Sequence, residues 1–110
     1  MRNLILTAML LSIASIVIPI ETAHAAGDAE SGKLKAYTCA GCHGIPGYSN
    51  VYPTYKVPKI GGQNYAYLVA ALQSYRTGER EHPTMTLQAQ ALSDKDIEDI
   101  SAYLASIGGQ

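Results

Sequence analysis

The chain has 110 residues, with 8 Lys and Arg against 9 Asp and Glu, so its formal net charge is −1. This balance argues against a nucleic-acid partner, because proteins that bind nucleic acids present a strongly basic face. The length allows one small domain with a modest core, a size that often depends on a disulfide, a metal or a bound cofactor for stability.

Residues 1–25 have the pattern of a cleavable secretory signal peptide. Arg2 supplies a positive start, residues 4–18 form a run of 15 without a charge, and Ala23-His24-Ala25 is a small-x-small cleavage site. The run is shorter than the roughly 20 residues that a membrane-spanning helix needs. We predict cleavage after Ala25, which leaves residues 26–110 as one domain; a retained N-terminal anchor is the alternative.

The pattern of the remaining residues predicts a small all-α domain. A first helix is expected over residues 28–38, with acidic residues near its start and lysines near its end, as the helix dipole favours. A second helix is expected over residues 65–76, where apolar residues recur every three or four positions. A third is expected to begin at a capping box formed by Ser93 and Asp96 and to stop before Gly108.

Two long connections, residues 44–63 and 77–92, show neither a strand nor a helix pattern. The first contains three prolines and four glycines, and the second contains Met85. Arg80, between two glutamates, is expected to lie in a solvated turn. Loops of this length in so small a domain need something to pack against, and a flat, rigid, apolar cofactor would serve.

Gly32 and Ala36 lie four residues apart on the predicted first helix and present a face without bulk. Such a face lets another helix approach closely, because no side chain separates the two backbones. We expect the last helix to cross the first one here, with Ile100 and Tyr103 as its contacts.

Residues 39–43, Cys-Ala-Gly-Cys-His, contain both cysteines of the chain. Two intervening residues let one helical turn present both sulfurs to the vinyl groups along one edge of a porphyrin, and the adjacent histidine can ligate the iron. The motif therefore predicts one haem c, attached covalently through Cys39 and Cys42, with His43 as an axial ligand.

Three other uses of the motif are weaker. A structural zinc site needs four ligands, and residues 26–110 offer only His82 as a further histidine and no further cysteine. A thioredoxin-like redox pair would lie between a strand and a helix, and no strand is predicted. A disulfide between Cys39 and Cys42 would close a very small loop and add little stability.

The order of the short motifs resembles the class I c-type cytochromes. More narrowly, it is similar to small bacterial periplasmic monohaem cytochromes and to one half of the di-haem cytochromes of the c4 type. The residues that carry the resemblance are Gly32, Cys39-Ala40-Gly41-Cys42-His43-Gly44, Pro58-Lys59-Ile60-Gly61-Gly62-Gln63, Pro83-Thr84-Met85 and Ala102-Tyr103-Leu104. The resemblance implies the class I cytochrome c fold, in which helices and two long loops wrap around one covalently bound haem.

The resemblance also implies the surroundings of the iron. Met85, the only methionine in residues 26–110, would be the second axial ligand, and His82 is its rival. The backbone carbonyl of Pro58 would hold the second ring nitrogen of His43. Three tyrosines of the first long connection either bond the haem propionates or shield the haem surface: Tyr48, Tyr52 and Tyr55.

Iron ligated by His43 and Met85 has no open position for a substrate, so the expected role is electron transfer rather than catalysis. The implied protein is periplasmic, has no membrane span once its leader is removed, and exchanges single electrons with periplasmic or membrane-bound redox proteins. Two alternatives remain: the haem subunit of a periplasmic oxidoreductase complex, and a ligand-binding haem sensor if Met85 dissociates.

Overall fold

The computed structural model describes residues 27–45 and 57–107, and in these residues the protein has five α-helices and no strand. No helix among them is long and apolar enough to cross a membrane. The predicted all-α class is confirmed. The predicted signal peptide and the three loop tyrosines lie outside the described residues. The helices are α1 (Ala29–Lys35), α2 (Tyr37–His43), α3 (Tyr65–Thr77), α4 (Pro83–Gln90) and α5 (Asp94–Ser106).

The predicted first helix is two helices, separated by a turn at Ala36. Asp28 caps α1, since its side chain accepts a hydrogen bond from the Glu30 amide at 3.0 Å. The sequence predicted that the cysteine motif follows the first helix. In the structure the motif instead forms most of α2. That helix ends at Gly44, whose φ of 64° is the left-handed conformation that glycine adopts most readily. The motif indicated one helical turn, but its small residues lack the apolar periodicity that would have predicted a separate helix.

The other two predicted helices are confirmed. The side chain of Asn64 accepts from the Tyr67 amide at 3.1 Å and so begins α3, and Gly78 ends it with a φ of 84°. Helix α5 begins with the predicted capping box, in which the Asp96 amide donates to Ser93 Oγ at 3.1 Å and the Ser93 amide donates to Asp96 Oδ2 at 3.0 Å. Local hydrogen bonding of capping residues explains why these boundaries were readable.

The prediction that residues 77–92 form a loop was wrong, because they contain α4. Pro83 occupies the first turn of this helix, where its missing amide proton is not needed, and the His82 side chain caps it by accepting from the Met85 amide at 3.3 Å. The apolar residues of α4 form no stripe: Ala89 is fully buried whereas Leu87 is 69% exposed. Without that periodicity the sequence resembled a loop.

Helices α1 and α5 meet at Gly32, as predicted. A Cβ at Gly32 would lie only 1.9 Å from the carbonyl oxygen of Asp99 and 2.9 Å from Cβ of Tyr103. The predicted contact with Tyr103 is therefore confirmed. Ile100 and Ala36 belong to the same buried core cluster. The buried core cluster comprises Ala36, Ile45, Leu68, Ile100 and Leu104.

Asp99 forms a charged cluster at the same crossing. Its side chain is 1% exposed and accepts from the Asp28 amide at 2.7 Å, from Lys35 Nζ at 2.7 Å and from Lys95 Nζ. Lys35 also pairs with Asp96 at 2.8 Å. The hydrogen bond from Lys35 holds the pKa of Asp99 well below its usual range and lowers the pKa of Asp96 to about 2. The cluster thus ties the start of α1 to α5.

We expect Gly32→Ala to lower the free energy of unfolding by about 1–3 kcal/mol, because the added methyl group overlaps the α5 backbone. Gly41→Ala is the matched control, since a Cβ at Gly41 meets nothing within 4 Å. In a helix interior that control should be neutral or stabilising by up to about 1 kcal/mol. Denaturant unfolding of the haem-loaded variants measures both. Equal effects would contradict the close approach of α1 and α5.

The Asp99 cluster predicts the acid sensitivity of the fold. The folded-state pKa values of Asp96 and Asp99 lie below the ordinary 3.8, so their stabilisation is complete above that pH. It is lost as the pH falls from about 4 towards 2, because the folded carboxylates must then be protonated. Asp99→Asn should melt at a lower temperature at neutral pH and lose less on acidification. Glu98→Gln is the control variant. Thermal melts of both variants across this pH range measure the effect. Equal melting behaviour of the two variants would refute the prediction.

Candidate functional site

One cavity brings together the cysteines, the histidine, the proline and the methionine that the sequence nominated for a cofactor. It lies between α2, α3, α4 and α5, with residues 57–60 along one side. Its lining includes Cys39, Cys42, His43, Pro58 and Met85, and also the rival ligand His82. Most of the wall is apolar and comes from Ile60, Leu68, Leu72, Leu92, Ile100 and Leu104.

The two cysteines project from one turn of α2. Cys39 is partly buried, Cys42 is exposed, and neither forms a disulfide. Burial raises the pKa of the Cys39 thiol. A redox-active pair shows the opposite behaviour, because its reactive sulfur needs a lowered pKa to be a thiolate near neutral pH. The environment of Cys39 therefore does not favour a redox-active thiolate.

His43 is buried, with 6% of its surface exposed, and its ring is held by a single strong contact. The Nδ1 atom lies 2.7 Å from the carbonyl oxygen of Pro58. Because a carbonyl oxygen only accepts, Nδ1 carries the proton and donates it, which leaves the Nε2 lone pair free for a metal. This is the contact that the resemblance implies for Pro58.

Met85 and His82 are held next to each other by the start of α4. Met85 lies on the first turn, partly buried, and lines the cavity. His82 is exposed, and its Nδ1 is engaged in capping, since it accepts from the Met85 amide. The sequence placed Met85 in an irregular loop, whereas a helical turn fixes it. Capping gives His82 a structural role that positions Met85.

The residues of the cavity fit haem c. Two thiols on one helical turn, an imidazole with a free nitrogen and a thioether are the donors that attach and ligate a haem, and the apolar wall suits a porphyrin face. Within residues 27–45 and 57–107, no group of three or more His, Cys, Asp or Glu side chains is arranged to hold a metal ion. A zinc site therefore has no support in this part of the chain.

Three cavity residues were missed by the sequence reasoning. Arg80, expected in a solvated turn, lines the cavity together with Tyr67 and Tyr75 of α3. Its guanidinium donates to the Tyr67 hydroxyl at 3.4 Å and lies 4.6 Å from the centroid of the Tyr75 ring. The spacing of the tyrosines was the available signal, because residues eight apart share one face of a helix.

Comparison with known proteins gives consistent matches. The cytochrome c family model matches residues 29–108. Cytochrome c4 of Pseudomonas aeruginosa is 44% identical over 84 residues, which cover 76% of this chain and 40% of that protein. Cytochrome c-554(548) of Halomonas halodenitrificans is also 44% identical over 84 residues, covering 74% of this chain and 98% of that protein.

A more distant relative is named as a subunit of an enzyme. The cytochrome subunit of sulfide dehydrogenase from Chlorobaculum tepidum is 29% identical over 76 residues, which cover 69% of this chain and 66% of that protein. The relatives also differ in length: the chain spans about two fifths of the cytochrome c4 proteins that it matches, but nearly the whole of cytochrome c-554(548).

Proposed function

The chain belongs to the cytochrome c family, which implies a covalently attached haem c, and we propose that it is a periplasmic carrier of single electrons with His43 and Met85 as axial ligands. The observation that carries the proposal is the convergence of both cysteines, His43 and Met85 on one largely apolar cavity. Family membership supports electron transfer as the general role, whereas the ligands, the compartment and the one-electron step are our inference.

The side chains divide the work of holding the cofactor. When bound, haem c supplies an iron that accepts and releases one electron at a time. Cys39 and Cys42 would hold the porphyrin edge, and His43, oriented by the Pro58 carbonyl, would offer its Nε2 atom to the iron. Met85 would offer its sulfur from α4. If both side chains bound the iron, no position would be left there for a substrate, which suits a carrier and not an enzyme.

The wall of the cavity favours the ferrous state. Apolar residues from α3 and α5, among them Leu68, Ile100 and Leu104, exclude water from the site. Exclusion of water disfavours the extra positive charge of ferric iron, and a methionine ligand acts in the same direction. Cys42 and Gly41 are exposed, so this end of α2 is open to a partner protein. A periplasmic or membrane-bound redox protein that docks there would reach the cofactor edge.

A second candidate is a haem subunit of a periplasmic oxidoreductase complex. Similarity to the cytochrome subunit of sulfide dehydrogenase favours it. The same cavity and ligands would serve, but a catalytic partner would remain bound. Purification of the native protein distinguishes the two, because a carrier elutes alone whereas a subunit elutes in a fixed ratio with its partner.

Export to the periplasm rests on the leader pattern of residues 1–25. The packing of Gly27 is compatible with cleavage after Ala25. A Cβ at Gly27 would lie 2.2 Å from the carbonyl oxygen of Glu98, so the chain is already in close contact with α5 two residues beyond the proposed cut. Removal of the leader would therefore leave the crossing of α1 and α5 intact.

The intact mass of periplasmic protein tests attachment and export together. We expect a chain that begins near Ala26 and carries the mass of one haem. Replacement of both Cys39 and Cys42 by alanine should abolish covalent attachment and most of the folding, because the apolar cavity then lacks its filling. A mass equal to the bare chain, from cells with working haem-attachment machinery, would contradict the proposal.

Substitutions at Met85 and His82 test the second axial ligand. If the Met85 sulfur binds iron, Met85→Ala should remove the weak near-red absorption of the ferric protein and open the ferrous protein to carbon monoxide. Met85→His should keep the iron six-coordinate and lower its reduction potential, since imidazole favours ferric iron more than a thioether does.

His82→Asn is the matched control for the ligand assignment, because asparagine can also cap a helix. It should leave the spectrum nearly unchanged. Loss of the low-spin spectrum in this variant, together with its retention in Met85→Ala, would reverse the assignment and indicate a bis-histidine cytochrome. Ready binding of carbon monoxide by the unaltered ferrous protein would instead favour the ligand-binding haem sensor.

A further inference from the structure

Arg80 occupies an unusual position for a residue between two glutamates. Its guanidinium donates to the Tyr67 hydroxyl at 3.4 Å and lies 4.6 Å from the centroid of the Tyr75 ring. Its backbone amide donates to the carbonyl oxygen of Ser74 at 3.1 Å, which fixes the turn after α3. Two tyrosines and a backbone contact thus orient this cation at the edge of the cavity.

Within the part of the chain that the structure describes, Arg80 lacks the carboxylate partners that Arg76 and Lys35 have. Arg76, four residues earlier, pairs with Asp94 at 2.5 Å, and Lys35 pairs with Asp96 and Asp99. Among residues 27–45 and 57–107, no carboxylate lies within ion-pair distance of the Arg80 guanidinium. Its neighbours Glu79 and Glu81 form no ion pair with it, and Ser74 Oγ lies 3.5 Å from the Glu79 carboxylate.

The charged side chains in the described lining of the cavity are all basic. The described residues that line it include the cations Lys59 and Arg80 and the histidines His43 and His82, but no aspartate or glutamate. Haem c brings carboxylates of its own, on its propionate groups. A carboxylate next to an apolar wall needs a partner, because its charge is poorly solvated there. The planar fork of an arginine matches a carboxylate better than any other side chain.

We propose that the Arg80 guanidinium is the ionic partner of a haem propionate, held for that contact by Tyr67 and Tyr75. The inference rests on the proposed function only in requiring haem c in this cavity. A cation within about 4–6 Å typically lowers a carboxylate pKa by about 1–3 units, so Arg80 keeps the propionate ionised throughout the neutral range. The charge near the iron then stays constant, and the reduction potential does not vary with pH.

The test compares reduction potentials between about pH 5 and 8, the range into which an unpaired propionate carboxyl would shift. Apart from Cys39 and Cys42, whose sulfurs would be bonded to the haem, the other titratable groups facing the cavity are His43, Lys59, Tyr67, Tyr75 and His82. All variants are made in a His82→Asn parent, so that this side chain contributes nothing to the pH dependence. In Arg80→Gln the potential should be lower than in the parent and should fall as the pH rises, because an ionised propionate favours ferric iron.

Two further variants separate pairing from a mere change of charge. Arg76→Gln removes a cation that already has a carboxylate partner and does not line the cavity, so its potential should stay independent of pH. Arg80→Lys keeps the charge without the fork and should restore a nearly flat profile. A flat profile in Arg80→Gln would overturn the pairing, as would a slope of the same size in Arg76→Gln.

The near-red absorption of the ferric parent distinguishes failure of this inference from failure of the proposed function. If the band is present in every variant and Arg80→Gln is flat, only the role of Arg80 is wrong. If Arg80→Gln gains the slope while the band persists, the propionate contact is supported independently of the ligand assignment.

Discussion

The close approach of α1 and α5 at Gly32 is the constraint on which the rest of the structure depends. With no side chain at this position, the two backbones meet at a distance that any Cβ would prevent. Helix α2 follows α1 after one turn, and its Cys39 and Ala40 pack against the core cluster that includes Ile100 and Leu104 of α5. The absence of a Cβ at Gly32 therefore helps to set the position of the cysteine motif relative to the apolar wall of the cavity.

Charge is distributed unevenly between the two sides of α5. On one side, the carboxylate of Asp99 is buried but receives hydrogen bonds from Lys35, Lys95 and the Asp28 amide, so its charge is compensated. On the other side, the described lining of the cavity holds cations and no carboxylate. The protein compensates the Asp99 charge where its helices cross, and Arg80, without a carboxylate partner among the described residues, faces the space proposed for a cofactor with carboxylates.

Helix α4 shows how a short element without amphipathic character can still be specified. Its start is fixed by local chemistry, a histidine cap followed by Pro83, and one side chain, Ala89, is fully buried. This helix places Met85 in the lining of the cavity, which also holds the buried His43. The His43 ring is oriented by the Pro58 carbonyl, the arrangement usual for a histidine ligand, whereas Met85 is positioned through its backbone by the helix cap.

The sequence by itself determined the features that depend on neighbours along the chain: the Cys-x-x-Cys-His spacing, the caps of α3 and α5, and the flat face at Gly32. Each follows from residues within about one or two helical turns. Only the tertiary structure decided the features that depend on distant contacts. The α2 and α4 helices lack apolar periodicity, and the location of Arg80 at the cavity edge follows from the path of the chain after α3. Asp99 gave no local sign of burial, because its compensating cations and the facing α1 backbone come from elsewhere in the chain.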